Sequence, residues 1–226
     1  ARAAARAWLT AEKPVWLNIN GPESEWFTRD LDILALASVK GVMLKKAEDT
    51  AAIAEIRGRL GAGARIIPLI ESALGLWRAE AIVCAEGVER LAFGSFDFQL
   101  DTGIAGEREE LLFARSQLVL VSRVAGRLAP VDGVTVALDD EAELREDVER
   151  ARRLGFGGKL CIHPKQVAAV NAGFRAPDAD FAWARRVLEA ADAAADNAVR
   201  LDGKLIDRPI IDRARAIVAV VEGPQS

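Results

Sequence analysis

The feature that most constrains the fold is a regular alternation of short apolar runs with longer amphipathic segments. Six apolar runs have the length of strands and fall at residues 15–19, 41–44, 65–70, 91–93, 134–138 and 159–162. Segments rich in Ala, Leu, Arg and Glu separate them and suit helices, notably residues 47–60, 109–126 and 140–154. Strands that alternate with helices predict βαβ units and a parallel sheet, so the chain belongs to the α/β class.

Polar residues follow each predicted strand at the point where the apolar run ends. They are Asn20, Lys46, Glu71, Asp97, Asp139 or Asp140, and His163. Because parallel strands end at the same edge of their sheet, these residues are expected to gather at one edge. In a (β/α) barrel that edge carries the chemistry. The sequence therefore predicts a barrel with one functional rim.

Two of these strand-end residues, Glu71 and Asp97, are carboxylates and are candidate metal ligands. Oxygen ligands suit a hard cation such as Mg²⁺, whereas His163, as the single histidine, cannot build a usual zinc site. Each carboxylate also has a structural interpretation. Glu71 could stabilise a helix N-terminus through the helix dipole, and Asp97 could cap a loop.

Composition and charge narrow the functional classes. The chain has 226 residues, of which 51% are hydrophobic and 28% charged, which is ordinary for one globular α/β domain. A net charge of −4 gives no basic footprint for nucleic acid, and no apolar run approaches the ~20 residues of a membrane span. Cys84 and Cys161 both lie in apolar contexts, which predicts buried free thiols in a reducing, cytoplasmic environment.

The strand count and the tail suggest how the chain is organised. Six strands fall short of the eight in a closed barrel, and the chain begins in a helix-like run without an initiator Met, so about two βα units, ~50 residues, are expected to precede Ala1. An open six-stranded sheet is the alternative. We predict a barrel domain at residues 1–175 and a C-terminal helical extension at 176–226. Its first helix would run from Asp178 or Asp180 to about Val199, followed by a turn at 201–209 and a last helix from Pro209.

Five motifs carry a resemblance to a known family. They are IPLIESALG at 67–75, GSFDFQLDTG at 94–103, LFARS at 112–116, GFGGKLCIHP at 155–164 and DGKLIDRP at 202–209. Together they resemble the citrate lyase β-subunit-like family, which includes malyl-CoA and citramalyl-CoA lyases within the wider HpcH/HpaI aldolase group. The resemblance extends from about Pro14 to Val221, with the motifs in order.

The resemblance implies a TIM-type (β/α)8 barrel that forms homotrimers or multiples of trimers. It implies a Mg²⁺-dependent lyase that cleaves a carbon–carbon bond in 3-hydroxyacyl-CoA esters, so that coenzyme A enters as part of the substrate. Glu71 and Asp97 match the positions of the metal ligands. Asp207 matches a catalytic Asp that a neighbouring subunit supplies. Lys46 matches a family lysine, and with Lys45, which replaces the family's proline, it is a candidate for binding the CoA phosphates.

Two departures from the family leave alternatives open. Asn18 stands where the family has an Arg that clamps the substrate carboxylate, and a neutral amide removes that charge. The family's acidic Asp-Leu-Glu-Asp strand would precede Ala1. A non-catalytic accessory paralogue and a CoA-independent, metal-dependent aldolase therefore remain alternatives. We interpret His163 as a structural residue, and Asp101 as a turn residue. Asp207 has the alternative of capping the helix at Pro209.

Overall fold

A six-stranded parallel sheet forms the framework of the first of two units into which the chain divides, Ala1–Val170 and Asn171–Ser226. The computed structural model describes residues 4, 9, 15–34, 36, 38–61, 63–175, 178–193 and 199–222. The strands lie side by side in chain order: β1 Val15–Ile19, β2 Val39–Leu44, β3 Ile66–Ile70, β4 Ala92–Phe93, β5 Val131–Asp132 and β6 Gly158–Lys159. This half-barrel confirms the predicted α/β class and the parallel sheet.

Helices follow each of the six strands, as the alternating pattern predicts. They are α1 Phe27–Leu31, α2 Ala51–Leu60, α3 Ala73–Trp77, α4 Ala79–Cys84, α5 Ser95–Thr102, α6 Leu112–Val124, α7 Glu141–Leu154 and α8 Pro164–Phe174, with a 3₁₀ turn at Glu109–Leu111 before α6. The bounds of α7 follow from its caps. The Asp140 side chain accepts the N–H groups of Ala142 and Glu143, and Gly155 ends the helix with a φ of 99°.

The order of the strands brings their C-terminal ends to one edge of the sheet. Ile19 pairs with Leu44, Leu44 with Pro68, and Ile70 with Phe93. All five residues of β3 are buried, as expected for a central parallel strand covered on both faces. Residues that directly follow the strands therefore share one rim. Among the described strands, six contribute to this sheet, and they do not complete an eight-stranded barrel.

The prediction of a strand at residues 134–138 is wrong. The strand is β5, which ends at Asp132, and the next residues form irregular chain in which Val136 is 61% exposed. The apolar run at 134–138 was misleading because the true strand contains a carboxylate, which hydrophobic patterning assigns to the surface. Likewise, β6 stops at Lys159, a buried cation, instead of continuing to residue 162.

The second unit differs from its prediction in one element. Helix α9 spans Asp178–Ala193, and a β-hairpin of β7 Val199–Leu201 and β8 Lys204–Ile206 follows, so the helix does not reach Val199 and the segment 201–209 is more than a turn. Asp202 and Gly203 connect the strands with φ values of 51° and 75°. This is the left-handed conformation that Asp-Gly hairpins favour. Helix α10 spans Arg208–Glu222, close to the prediction.

A small apolar core holds the second unit together. Ala184 and Val187 of α9 are buried with Ile206 of β8 and Ala214 of α10. Across the part of the chain that the structure describes, no helix combines the length and hydrophobicity of a membrane span.

Candidate metal centre

A cavity of about 280 Å³ opens at the C-terminal rim of the sheet. Strand ends and the segments that follow them line it, so its walls combine side chains from β1 to β4 with the segments after β5 and β6. Its polar lining consists of Asn18, Lys45, Glu71, Ser95, Asp97 and Cys161. Its apolar lining includes Met43, Leu69, Phe93, Phe96, Val134, Leu160 and Ile162. The rim thus brings together Glu71, Asp97, Lys45 and Asn18, four of the residues that the sequence singled out.

Glu71 is held rigidly at the end of β3. Its side chain is buried, with the residue only 5% exposed, and its Oε1 accepts the backbone N–H of Lys46 at 2.8 Å. Gly94 lies directly against it, since a Cβ at that position would lie 2.6 Å from the Glu71 Cβ. A glycine is therefore required at position 94, because a larger residue would collide with the Glu71 side chain where the chain leaves β4.

Asp97 lies in the first turn of α5, three residues beyond Gly94, and its side chain is exposed to solvent. Its charge acts on Glu71. Burial is the main cause that raises the pKa of Glu71, and the negative charge of Asp97 raises it further. The hydrogen bond from the Lys46 backbone and the positive charges of Lys45 and Lys46 oppose this rise.

The donor set fits a hard divalent cation better than a transition metal. Glu71 and Asp97 supply carboxylate oxygens, and within the described residues no group of three or more His, Cys, Asp or Glu side chains could hold a metal ion. Mg²⁺ commonly takes one or two protein carboxylates and completes its octahedron with water and substrate oxygens. A structural zinc site requires four protein ligands, which the described residues do not offer here.

The two adjacent lysines differ in their surroundings. Lys45 lines the cavity. The side chain of Lys46 lies 4.0 Å from Glu23 Oε1, with both side chains half-exposed, while its backbone holds Glu71. Lys46 has a φ of 46°, a left-handed conformation that is costly for a residue with a side chain. This strain occurs where the backbone turns to aim an N–H at the candidate metal ligand.

Three other predicted residues have structural contacts. His163 precedes α8, and its Nδ1 accepts the N–H of Lys165 at 3.1 Å, which supports the structural interpretation. Asp101 accepts the N–H of Ala73 at 2.8 Å and so caps α3, although it lies within α5 and not in a turn. Asp207 belongs to the second unit, where its Oδ1 accepts the N–H of Ile210 at 3.3 Å at the start of α10. Its catalytic role remains a prediction.

Sequence reasoning missed several residues at or beneath the cavity. Phe96 and Ser95 line it from the start of α5, in the motif that contains Asp97, where an aromatic and a hydroxyl residue give no sequence signal of their own. Cys161 lines the cavity and is half-buried, and burial raises the pKa of its thiol. The prediction of a buried Cys84 is wrong, because that thiol is exposed at the end of α4, where an amphipathic helix turns its polar face outward.

Comparisons with known proteins point to one family. The profile described as HpcH/HpaI aldolase/citrate lyase matches residues 3–164. A citrate lyase subunit beta-like protein of Deinococcus radiodurans is 35% identical over 215 residues, which cover 91% of this chain and 74% of that protein. Citrate lyase subunit beta of Escherichia coli K12 is 32% identical over 222 residues, covering 91% and 73%.

A solved structure extends the similarity to the fold. The crystal structure of the protein CitE from Mycobacterium tuberculosis, in complex with magnesium, acetoacetate and coenzyme A, matches with a TM-score of 0.81. It is 28% identical, and the match covers 98% of this chain and 84% of that chain.

Proposed function

The chain belongs to the HpcH/HpaI aldolase/citrate lyase family, a family of carbon–carbon lyases, and from this premise we propose that it cleaves 3-hydroxyacyl-CoA esters with the help of Mg²⁺. The substrates would be of the malyl-, citramalyl- or citryl-CoA type, and the products an acyl-CoA and a 2-oxo acid. The magnesium and coenzyme A bound to the Mycobacterium tuberculosis CitE support both cofactor and substrate class.

One observation carries this proposal: the cavity at the strand exits joins two carboxylates, Glu71 and Asp97, with one lysine, Lys45. Glu71 and Asp97 would hold Mg²⁺ and leave its remaining positions to water and to a chelating hydroxy or oxo acid. When bound, Mg²⁺ supplies Lewis acidity that stabilises negative charge developing on the substrate oxygen.

The chain's own residues would orient the substrate and exclude water. The Lys46 N–H keeps the Glu71 carboxylate in one orientation, so binding does not have to order that side chain. The buried Leu69 and Phe93 form an apolar wall that would keep water from the reacting carbon atoms. Lys45 would offer its positive charge to a substrate carboxylate or a CoA phosphate, with Lys46 as a second phosphate-binding candidate.

Proton transfer is assigned to Asp207. As the carbon–carbon bond breaks, the substrate hydroxyl gives its proton to solvent water and becomes the carbonyl of the oxo acid. The electron pair of the broken bond passes to the acyl-CoA enolate, whose α-carbon then gains a proton. We assign the second transfer to Asp207 of a neighbouring subunit, which would require an oligomer, and we propose a homotrimer or a multiple of it. The proposal further includes a TIM-type barrel to which residues 1–175 contribute the six observed strands, an extension at 176–226 and a cytoplasmic location.

The test is turnover of CoA esters by the purified protein. Malyl-, citramalyl- and citryl-CoA are supplied with and without Mg²⁺, and the 2-oxo acid and acyl-CoA are quantified by chromatography. We expect Mg²⁺-dependent formation of both products, and its loss in Asp97→Asn. Asp101→Asn is the matched control, because it makes the same change on the same helix at a carboxylate that caps α3.

Other outcomes would select one of the alternatives. Cleavage of free hydroxy acids without a CoA ester would replace the proposal with a CoA-independent aldolase. Mg²⁺ binding without turnover of any ester would replace it with an accessory paralogue.

A further inference from the structure

A buried lysine, Lys159, ends β6 directly before Leu160 and Cys161, which line the cavity, and it has no assigned role so far. The Lys159 side chain is 1% exposed, and its Nζ donates a 2.7 Å hydrogen bond to the carbonyl oxygen of Gly133. Asp147 Oδ2 lies 3.9 Å from the same nitrogen. Burial lowers the pKa of Lys159, while the charges of Asp132 and Asp147 act in the opposite direction. A buried amine costs free energy unless it is hydrogen-bonded and paired, and here the Gly133 carbonyl and Asp147 provide both contacts.

The carbonyl that Lys159 binds belongs to a segment pressed against α5. A Cβ at Gly133 would lie 2.4 Å from Ser95 Oγ and 2.9 Å from Ser95 Cβ, so the backbone there is in direct contact with Ser95. Ser95 is 1% exposed and is the first residue of α5, two positions before Asp97. The contacts therefore run from Lys159 through Gly133 and Ser95 to the helix turn that carries Asp97.

A second buried ion pair, between Asp132 and Arg115, holds the same segment. Asp132, which precedes Gly133, is fully buried, and its Oδ1 accepts the Arg115 Nε at 3.0 Å. Arg115 also donates to the carbonyl oxygen of Glu107, in the segment after α5, at 2.6 Å. Asp132 is the register partner of Lys159 in the sheet. The exit of β5 is thus clamped by two cations, which leaves it little freedom to move relative to α5.

We propose that Lys159 is a positioning residue that holds the Gly133 segment against Ser95 and so fixes Asp97 for binding of a divalent cation. This inference rests on the proposed function, because Asp97 is assigned there as a metal ligand. Residues outside the ligand set that orient ligands contribute about 10–100-fold to metal affinity. Lys159 acts through two intervening residues, so we expect an effect of about tenfold, at the lower end of that range.

The experiment measures Mg²⁺ affinity by calorimetry and the Tm on the intact protein. Lys159→Met keeps the length of the side chain, removes the hydrogen bond to Gly133, and is expected to raise the Mg²⁺ Kd about tenfold. Lys165→Met makes the same change six residues on, at an exposed lysine, and is expected to leave the Kd unaltered. Ile53→Ala, in the buried face of α2, provides a variant of lowered Tm whose site is untouched.

Gly133→Ala tests the contact between the Gly133 segment and Ser95. It is the deciding variant for the positioning role if Lys159→Met does not fold. Its added methyl group would displace Ser95, so the Mg²⁺ Kd should rise although Lys159 is intact. A merely structural role would lower the Tm of Lys159→Met, as in Ile53→Ala, without raising the Kd. In that case, or if a well-folded Gly133→Ala binds Mg²⁺ as wild type does, the inference is overturned.

The wild type and Asp97→Asn separate this inference from the proposed function. Absence of Mg²⁺ binding by the wild type would overturn both. Binding that Asp97→Asn weakens and Lys159→Met does not would overturn the positioning role alone.

Discussion

The backbone N–H of Lys46 donates a 2.8 Å hydrogen bond to Oε1 of Glu71, and so joins the exits of β2 and β3. The donor comes from a residue with a φ of 46°, and the acceptor is a buried carboxylate. A backbone donor cannot change rotamer, so it fixes the candidate ligand more firmly than a side chain would. The strain at Lys46 is then a cost of this arrangement.

Replacing Lys46 separates its backbone role from its side-chain role. Lys46→Gly and Lys46→Ala both remove the ammonium group, but only glycine relieves the left-handed strain, so Lys46→Gly should be ~1 kcal/mol more stable to unfolding than Lys46→Ala. Both retain the N–H and should bind Mg²⁺ as wild type does, which calorimetry would check. If the side chain binds CoA phosphates, both should raise the KM for the CoA ester equally. A KM unchanged in both variants would remove Lys46 from the phosphate site.

Glu71→Gln should abolish measurable Mg²⁺ binding while the fold is retained. The amide occupies the same volume and can still accept the Lys46 N–H, but it lacks the charge that a hard cation requires. Calorimetry with Mg²⁺ and circular dichroism of the same sample would test both parts. A Glu71→Gln protein that binds Mg²⁺ with wild-type affinity would show that the ligand has been wrongly assigned.

The free energy of unfolding of the metal-free protein should depend on pH through the ionisation of Glu71. Its pKa is raised in the folded state, so the folded protein holds this proton more tightly than the unfolded chain does. The contribution of Glu71 to the free energy of unfolding is present in full below its pKa in the unfolded chain. This contribution is lost as the pH rises through its pKa in the folded protein. Glu71→Gln should lack this loss, and denaturant titrations of both proteins between pH 4 and 8 would reveal the difference. If the unfolding free energies of the wild type and Glu71→Gln changed with pH in the same way, the prediction would be contradicted.

Asn18 tests whether a missing positive charge limits the affinity for substrate. It lines the cavity from β1, so an Asn18→Arg side chain would enter the same space as Glu71 and Lys45. A charge-assisted contact with a carboxylate contributes ~1.5–3 kcal/mol, and KM for malyl- or citramalyl-CoA should fall roughly ten- to a hundredfold. Steady-state kinetics would measure this, with the inhibition constant of a 3-hydroxyacyl-CoA ester that lacks the free carboxylate as the control. An equal change for both esters would mean that the new charge does not bind that carboxylate.

Much of the framework was predictable because apolar runs and amphipathic segments have different periods. Strand β3 and helix α7 were predicted within one residue at each end, since an uninterrupted apolar run and a capped amphipathic segment leave little ambiguity. Strand β5 was not, because its Asp132 is buried by pairing with Arg115, seventeen positions earlier in the chain. Hydrophobic patterning cannot detect a charge that a distant partner neutralises.

By itself, the sequence determined the parallel α/β framework, the carboxylates at the strand exits and the resemblance to a family of lyases. These follow from local order along the chain and from motifs. Only the tertiary structure decided that Glu71, Asp97, Lys45 and Asn18 line one cavity, that a backbone N–H orients Glu71, and that Lys159 is buried against the Gly133 carbonyl. Such contacts join residues that are far apart in the chain, and they exist only once packing has aligned the strand ends and excluded water.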